Sequence, residues 1–228
     1  KMSSHTNKYI AIGDIHGCSK TLELLLERLH KEYGTTRTYV FMGDYVDRGP
    51  DTKGVVELLL NFRKTHECVF IRGNHDAMFM KYLTDPDYLL WFDNGGASTM
   101  ESYNNPDGSQ GKIPYSHLKF FLNTVPYYDS EHFFFVHGGP PITQSIKESL
   151  GNEVLYSSFM WSRDHIDADE NDIKWEKTVV FGHTPVRSPI DTEKQLGIDT
   201  GCVYEQFGKL TAVALPERDF IQQKRIDF

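Results

Sequence analysis

Glycine, carboxylate, amide and imidazole groups recur together where apolar runs of this 228-residue chain end. In residues 71–76, Ile-Arg-Gly-Asn-His-Asp, an amide oxygen and an imidazole follow the apolar run directly. Glycine at such a point lets the backbone turn tightly and lets a ligand approach without a Cβ in the way. Six side chains in equivalent settings are candidate metal ligands: Asp14, His16, Asp44, Asn74, His137 and His183.

The donor atoms of these six side chains indicate which ions they would hold. Imidazole, carboxylate and amide groups without a thiolate favour Mn, Fe or Zn over a structural zinc cage, and Mn is the ion we expect. Six ligands exceed the needs of one tetrahedral ion, so we expect two divalent ions with one shared carboxylate. Two ions about 3.5–4 Å apart are a usual arrangement for hydrolysing phosphate esters. The fixed cations of Arg48 and Arg163 would bind the phosphoryl group.

Hydrophobic patterning predicts the elements that place these side chains. Three short apolar runs, at residues 9–12, 39–42 and 69–71, each lead through a glycine-containing turn into an amphipathic helix. Leucines at positions 22, 25, 26 and 29 mark the first helix, Asp51 or Thr52 caps the second, and Ala77 opens the third. Consecutive β-then-α units with short connections predict parallel strands whose carboxyl ends meet at one edge of a sheet.

The second half of the chain has a different pattern. Residues 84–124 are rich in turn formers and predict an inserted wall or lid over the site. Strands are predicted at residues 133–136 and 178–181, each leading into a histidine beside glycine. Apolar and other side chains alternate over residues 196–202 and 209–215, a pattern that suits antiparallel strands. Four aromatic residues of the inserted segment are candidates for substrate contact: Tyr88, Trp91, Phe92 and Tyr103.

Bulk composition limits the class of protein. We expect one domain over residues 8–216, with terminal extensions at 1–7 and 217–228. The full chain has 39% hydrophobic and 25% charged residues, which is ordinary for a soluble globular protein. The net charge of -8 argues against a nucleic-acid backbone or an anionic membrane as the main partner. We expect a cytoplasmic protein, because the chain has three separated cysteines, a polar N-terminus and no apolar run of bilayer-spanning length. The sequence leaves its oligomeric state undetermined.

The polar motifs resemble the signature of the metallophosphoesterase superfamily. They are residues 13–17 (Gly-Asp-Ile-His-Gly), 43–49 (Gly-Asp-Tyr-Val-Asp-Arg-Gly), 72–76 (Arg-Gly-Asn-His-Asp), 137–139 (His-Gly-Gly) and 182–183 (Gly-His). More narrowly, they resemble the phosphoprotein phosphatase family and follow its order from residue 13 to about residue 201. The resemblance implies a calcineurin-like α/β fold, in which two packed mixed β-sheets flanked by helices form an αββα sandwich with the metals at their shared edge.

The same resemblance implies a role for each site residue. One ion would be held by Asp14 and His16 and the other by Asn74, His137 and His183, with Asp44 bridging the two. A metal-bound hydroxide would attack phosphorus directly, without a phosphoenzyme. His75 would donate a proton to the leaving oxygen, and Asp47 would orient His75 and keep it protonated. Arg48 and Arg163 match the phosphate-binding arginines, and Asn74 would contact the substrate as well as the metal.

Three functions are compatible with this resemblance. The first is a phosphatase for phosphoserine and phosphothreonine in proteins, and the second is a diadenosine tetraphosphate hydrolase acting on a phosphorylated small molecule. Asp47 favours the first, since the tetraphosphatases of this family often carry a small residue there. The third is a non-catalytic scaffold, which the intact ligand set disfavours.

The other six histidines lie among polar neighbours in the sequence. We expect them on the surface rather than at a site: His5, His30, His66, His117, His132 and His165.

Overall fold

The structure is a computed structural model that describes residues 7–228 and contains two five-stranded β-sheets. The first sheet has the order β10-β9-β1-β2-β3 and the second has the order β4-β5-β6-β8-β7. The strands are β1 (Tyr9–Ile12), β2 (Thr38–Phe41), β3 (Cys68–Phe70), β4 (Tyr127–Asp129), β5 (Phe133–Val136), β6 (Thr178–Phe181), β7 (Ile190–Asp191), β8 (Gln195–Gly197), β9 (Lys209–Leu215) and β10 (Asp219–Lys224).

Seven α-helices and three short 3₁₀ helices lie in the described part of the chain. The helices are α1 (Ser19–Tyr33), α2 (Thr52–Phe62), α3 (Asn74–Thr84), α4 (Leu90–Asp93), α5 (Gly96–Ser102), α6 (Tyr115–Leu122) and α7 (Ile146–Leu150). The 3₁₀ helices are Glu153–Tyr156, Ser158–Met160 and Glu170–Asp172. No helix among residues 7–228 is long and apolar enough to cross a membrane.

The predicted β-then-α units are present. β1 pairs in parallel with β2, and β2 pairs in parallel with β3. Asp51 caps α2, because its carboxylate accepts the main-chain N–H of Gly54 at 2.8 Å. The third helix begins at Asn74 rather than at Ala77, which places Asn74 and His75 in its first turn. The carboxyl ends of β1, β2 and β3 therefore present their polar residues side by side.

The two sheets pack face to face, which confirms the predicted αββα arrangement. One apolar cluster contains Ala11, Val40 and Val213 of the first sheet with Phe135 and Val180 of the second. The other face of the first sheet packs against α1, α2, α3 and α6. The other face of the second sheet packs against α7 and the 3₁₀ helices. The stacked strands place the ends of both sheets at a common edge.

The tail of the chain differs from its prediction. Residues 217–228, predicted as a terminal extension, include β10, which pairs antiparallel with β9 at the edge of the first sheet. Asp227 also accepts the main-chain N–H groups of Lys20 and Thr21 at the start of α1. β9 is antiparallel as predicted, and β8 pairs antiparallel with β7 on one side and parallel with β6 on the other. Residues 1–6 of the expected N-terminal extension lie outside the described residues.

Three of the histidines predicted to lie on the surface are buried. His66, His117 and His165 have exposed fractions of 8%, 3% and 1%. His165 is covered by Phe181 of a distant strand at 4.4 Å between ring centroids, which its sequence neighbours could not reveal. His117 packs against Tyr103, and His66 stacks on Phe62, four residues earlier. His30 and His132 are exposed as expected, and His5 lies outside the described residues.

Candidate metal centre and active site

The predicted site residues meet at the edge that the two sheets share. Asp14, Asp44 and Asn74 follow β1, β2 and β3, and the strands β5 and β6 lead into His137 and His183. All five side chains are buried, as are His16 and His75. Residues up to 169 positions apart in the sequence are thus brought into contact, and Asp14 accepts the main-chain N–H of His183 at 3.0 Å.

Asp44 lies at the middle of this arrangement. Its Oδ2 is 3.4 Å from Nε2 of His16 and 3.3 Å from Nε2 of His137. Two groups of side chains have ligand atoms within 4.8 Å of one another, and Asp44 belongs to both. One group is completed by His16 and His75, and the other by His137 and His183. A carboxylate shared in this way fits the position of a bridging ligand.

The imidazoles are oriented by the main chain. Nδ1 of His16 lies 2.7 Å from the carbonyl oxygen of Val46, and Nδ1 of His137 lies 2.8 Å from that of Met42. Each ring therefore donates from Nδ1 and turns Nε2 toward Asp44. Nε2 of His183 is buried and has no hydrogen-bond partner in the described part of the chain, although buried polar atoms are normally paired. The Nδ1 hydrogen bonds of His16 and His137 are of the kind that commonly orients metal-binding histidines.

Burial and neighbouring carboxylates shift the pKa values of these rings in opposite directions. Burial lowers the pKa of His16 and of His183 to about 3, so both are neutral and able to bind a cation through a lone pair. Burial alone would lower the pKa of His137, but the carboxylates of Asp44 and Asp14 raise it to about 10. This concentration of negative charge around one imidazole favours any cation at that position.

Asn74 and Asp14 complete the donor set. Oδ1 of Asn74 lies 3.0 Å from Nε2 of His137, beside Asp44. Asp14 approaches the turn at Gly182 so closely that a Cβ there would lie 2.1 Å from its Oδ1. This donor set fits a centre for two divalent ions: it has a shared carboxylate, an amide oxygen, fixed imidazoles and the unpaired nitrogen of His183. Neither of the two clusters contains a cysteine.

His75 and Asp47 form a buried pair beside this centre. Nδ1 of His75 lies 2.7 Å from Oδ2 of Asp47. Burial raises the pKa of Asp47, while the hydrogen bonds from His75, Thr99 and Trp91 act in the opposite direction. The His75 ring is 4.8 Å from that of His16, edge to face. A carboxylate that fixes an imidazole next to a reaction centre supports proton transfer by that imidazole.

Two partners of Asp47 were missed in the sequence. Oγ1 of Thr99 donates to Asp47 at 2.8 Å, and the indole nitrogen of Trp91 lies 2.9 Å from both carboxylate oxygens. Both residues belong to the segment 84–124, which was predicted as a wall or lid. Helices α4, α5 and α6 of this segment pack against α2 and α3 and thereby bring Trp91 and Thr99 beneath the site. No local pattern could have revealed these contacts.

The proposed aromatic wall for substrate is wrong for two of its four residues. Trp91 and Tyr103 have exposed fractions of 0% and 3%, so neither ring can stack on a substrate. Tyr88 and Phe92 are half-buried. Trp91 and Thr99 of this segment instead support the site from within, through Asp47.

The arginines occupy different positions. Nη1 of Arg48 lies 3.1 Å from Nε2 of His16, and its guanidinium lies 5.4 Å from the centre of the Tyr204 ring. The main-chain N–H of Arg48 donates to Gly95 at 3.2 Å. Arg163 is exposed, and its charge acts on His183 at the other side of the centre. The two cations therefore flank the ligand clusters.

Five site residues have positive φ angles although they are not glycine. They are His16 (45°), Asp44 (52°), Asp47 (72°), Arg48 (70°) and His183 (67°). Such backbone conformations cost on the order of 1–3 kcal/mol each and persist where the surrounding structure enforces them. The hydrogen bonds of these loops thus hold the side chains in position at a cost in stability.

Asp76 is a further residue whose role the sequence did not reveal. Its carboxylate accepts the main-chain N–H groups of Gly73 at 2.9 Å, Asp44 at 2.8 Å and Tyr45 at 3.0 Å. Asp76 thereby ties the loop of Asp44 to the start of α3. An acid three residues after a helix N-cap is a recognisable capping signal, but its bonds to the loop after β2 are visible only in the structure.

Comparison with known proteins relates residues 8–214 to one protein family. A sequence model described as calcineurin-like phosphoesterase matches residues 8–214. The bis(5'-nucleosyl)-tetraphosphatase PrpE (asymmetrical) of Oceanobacillus iheyensis is 28% identical, over 92% of this chain and 89% of the relative. The protein of the same name from Halalkalibacterium halodurans is also 28% identical, over 92% of this chain and 91% of the relative.

Solved structures show the same fold. A protein assigned provisionally as a diadenosine tetraphosphatase superposes with a TM-score of 0.71 at 24% identity, covering 100% of this chain and 97% of its own. A protein serine/threonine phosphatase from Saccharomyces cerevisiae superposes with a TM-score of 0.60 at 14% identity, covering 100% of this chain and 82% of its own. At these identities the similarity concerns the fold alone.

Proposed function

This chain belongs to the calcineurin-like phosphoesterase family of metal-dependent hydrolases, and we propose that it cleaves dinucleoside tetraphosphates asymmetrically. Water would split diadenosine tetraphosphate into one nucleoside triphosphate and one nucleoside monophosphate. The substrate class is supported by relatives named asymmetrical tetraphosphatases that align along about nine-tenths of both chains. The proposal thus adopts the second of the three functions in the sequence analysis. The observation that carries the chemistry is the buried His75–Asp47 pair, whose imidazole also lies within reach of Asp44 and His16.

The metal centre would draw on Asp44, His16, His137 and His183 of the two clusters, together with the neighbouring Asp14 and Asn74. Asp14 and His16 would hold one ion, Asn74, His137 and His183 would hold the other, and Asp44 would contact both. Such ions supply an activated water and neutralise charge that develops on the phosphoryl group. The mixed imidazole and oxygen donors favour Mn, with Fe and Zn as further candidates, and we expect Mn to restore chelated enzyme better than Mg.

The chain's own residues would bind phosphate and move the proton. Arg48 and Arg163 flank the ligand clusters and present planar guanidinium groups, which bind phosphoryl oxygens in two-point contacts. His75, oriented by Asp47 through its Nδ1, would give the proton of Nε2 to the oxygen of the leaving phosphate. Removal of one such acid commonly reduces the rate by about 10²–10⁴-fold.

A phosphoprotein substrate is the second candidate. Asp47 is the observation in its favour, because the acid–imidazole pair gives most help to a poor leaving group such as the alkoxide of serine or threonine. A non-catalytic scaffold would have no need for the strained loops that hold the site residues.

One measurement separates these candidates. The Mn-loaded enzyme is assayed for kcat/KM on diadenosine tetraphosphate and on a phosphothreonine peptide, and the nucleotide products are separated by chromatography. We expect a strong preference for the dinucleotide with equal amounts of ATP and AMP. A preference for the peptide, or a product of two ADP molecules, would overturn the proposal.

A further inference from the structure

We propose that a cavity beside Trp161 binds one nucleobase of the substrate. This inference rests on the proposed function and adds a subsite to it. The cavity has a volume of about 240 Å³ and is lined by Pro141, Ser158, Trp161, Ser162 and Asp164. Pockets for drug-sized ligands usually span about 300–1,000 Å³, so this one suits a fragment such as a single planar base.

Trp161 is placed where the base of a bound nucleotide would lie. Its ring centroid is 6.3 Å from that of His183, which belongs to one of the two ligand clusters. The indole therefore lies next to the metal centre. A phosphate bound at that centre would have its nucleoside within reach of the cavity.

The exposure of Trp161 distinguishes it from the other tryptophans. Its exposed fraction is 45%, whereas Trp91 and Trp175 are at 0% and 3%. An exposed tryptophan at the mouth of a polar site is an unusual use of a large apolar side chain. Stacking on a base would remove its exposed face from water and would tolerate any base, because every base has a π face.

Asp164 gives the cavity a hydrogen-bond acceptor. Its side chain makes no hydrogen bond or ion pair with any residue among 7–228, although it lines the cavity. Of the two serines, Ser158 donates its hydroxyl to Leu155 at 2.6 Å. An exposed carboxylate beside an indole matches adenine, whose exocyclic amino group donates hydrogen bonds. The same carboxylate would repel acidic residues of a phosphopeptide.

Arg163 connects this subsite to the phosphate position. It lies in the chain between Trp161 and Asp164, and its charge acts on His183. The four consecutive residues 161–164 thus offer an aromatic face, a hydroxyl, a cation and an acceptor at one side of the metal centre. A nucleoside monophosphate unit has the matching sequence of groups, namely a base with a π face and an amino donor, followed by an anion.

The kinetic test is the ratio of kcat/KM on diadenosine tetraphosphate to kcat/KM on p-nitrophenyl phosphate, which has no base to stack. In W161A we expect this ratio to fall by about 5- to 150-fold, the usual effect of removing one stacking ring. W161F should recover most of the ratio, and D164N should lower it by a smaller factor. V154A is the matched control, since Val154 lies in the same region and is 81% exposed; its ratio should equal that of the wild type.

A binding measurement complements the kinetics. AMP is titrated into chelated protein while tryptophan fluorescence is followed, and we expect quenching in the wild type that is absent in W161F. An unchanged ratio in W161A, together with quenching that persists in W161F, would overturn the subsite while leaving the dinucleotide activity in place. A wild type without preference for the dinucleotide would overturn the proposed function itself. An equal loss in W161A on a phosphothreonine peptide would assign the cavity to peptides instead.

Discussion

The indole nitrogen of Trp91 lies 2.9 Å from both carboxylate oxygens of Asp47, 44 residues earlier in the chain. Asp47 in turn contacts Nδ1 of His75 at 2.7 Å. Three buried side chains therefore form one connected series that runs from the inserted helices to the proposed proton donor. The insertion contributes to the site by fixing a carboxylate, and its tryptophan is unavailable to substrate.

Substitution of Trp91 by phenylalanine should weaken catalysis without weakening substrate binding. The variant W91F loses the indole bond to Asp47, and a hydrogen bond to a charged group contributes about 1.5–3 kcal/mol. We expect kcat to fall by roughly tenfold or more with little change in KM. W175F is the control, because Trp175 is equally buried but its indole donates to Pro141 instead. Equal losses of kcat in both variants would show a general effect of core packing.

Substitution of His75 by asparagine should affect poor leaving groups most. H75N removes the proposed proton donor, so we expect kcat to fall by about 10²–10⁴-fold on substrates with an alkoxide leaving group. The loss should be smaller on p-nitrophenyl phosphate, whose leaving oxygen needs no proton. H132N, at an exposed histidine, is the control. An identical loss on both substrates would contradict proton donation by His75.

Substitution of Asp44 by asparagine should reduce binding of both ions. Asp44 belongs to both ligand clusters, whereas His16 belongs to one. Loss of even an indirect partner of a metal ligand costs about 10–100-fold in affinity, so D44N should weaken both sites by more than that. H16A should leave close to one Mn per chain, measured by elemental analysis after gel filtration. Two bound ions in D44N would exclude Asp44 as the shared ligand.

His165 should make the protein less stable in mild acid. Its ring is buried, neither nitrogen has a hydrogen-bond partner among residues 7–228, and burial lowers its pKa from 6.5 to about 4. Between these values the unfolded chain holds a proton that the folded chain does not, so the free energy of unfolding decreases as pH falls from about 6.5 to about 4. The full effect is about 3 kcal/mol.

Urea unfolding of chelated wild type and H165L at pH 7.5 and pH 4.5 measures this contribution. The variant should lose less stability over that interval, because leucine cannot bind the proton. The exposed His132 supplies the control H132L, which should follow the wild type. A wild type and H165L with parallel pH profiles would mean that His165 binds its proton as readily in the folded protein as in the unfolded chain.

Much of the fold and of the metal centre could be predicted because the signals are local. Apolar runs that end in glycine identified the strands and placed Asp14, Asp44 and Asn74 at their carboxyl ends. The family's motif order then predicted the sandwich of two sheets, which the structure contains. The polar groups His137 and His183 were recognised for the same reason, since each follows an apolar strand directly.

The tertiary structure alone decided what surrounds these residues. The bonds of Trp91 and Thr99 to Asp47, and of Asp76 to the loop after β2, depend on how helices pack. The burial of His165 depends on Phe181, which belongs to strand β6 of the second sheet and packs against the His165 ring. The sequence by itself determined the ligand types and their strand ends, because these follow from neighbouring residues. Contacts between distant segments set the position of the His75–Asp47 pair and of the open cavity at Trp161. Local sequence is compatible with many such contacts, and the packing of the whole chain selects among them.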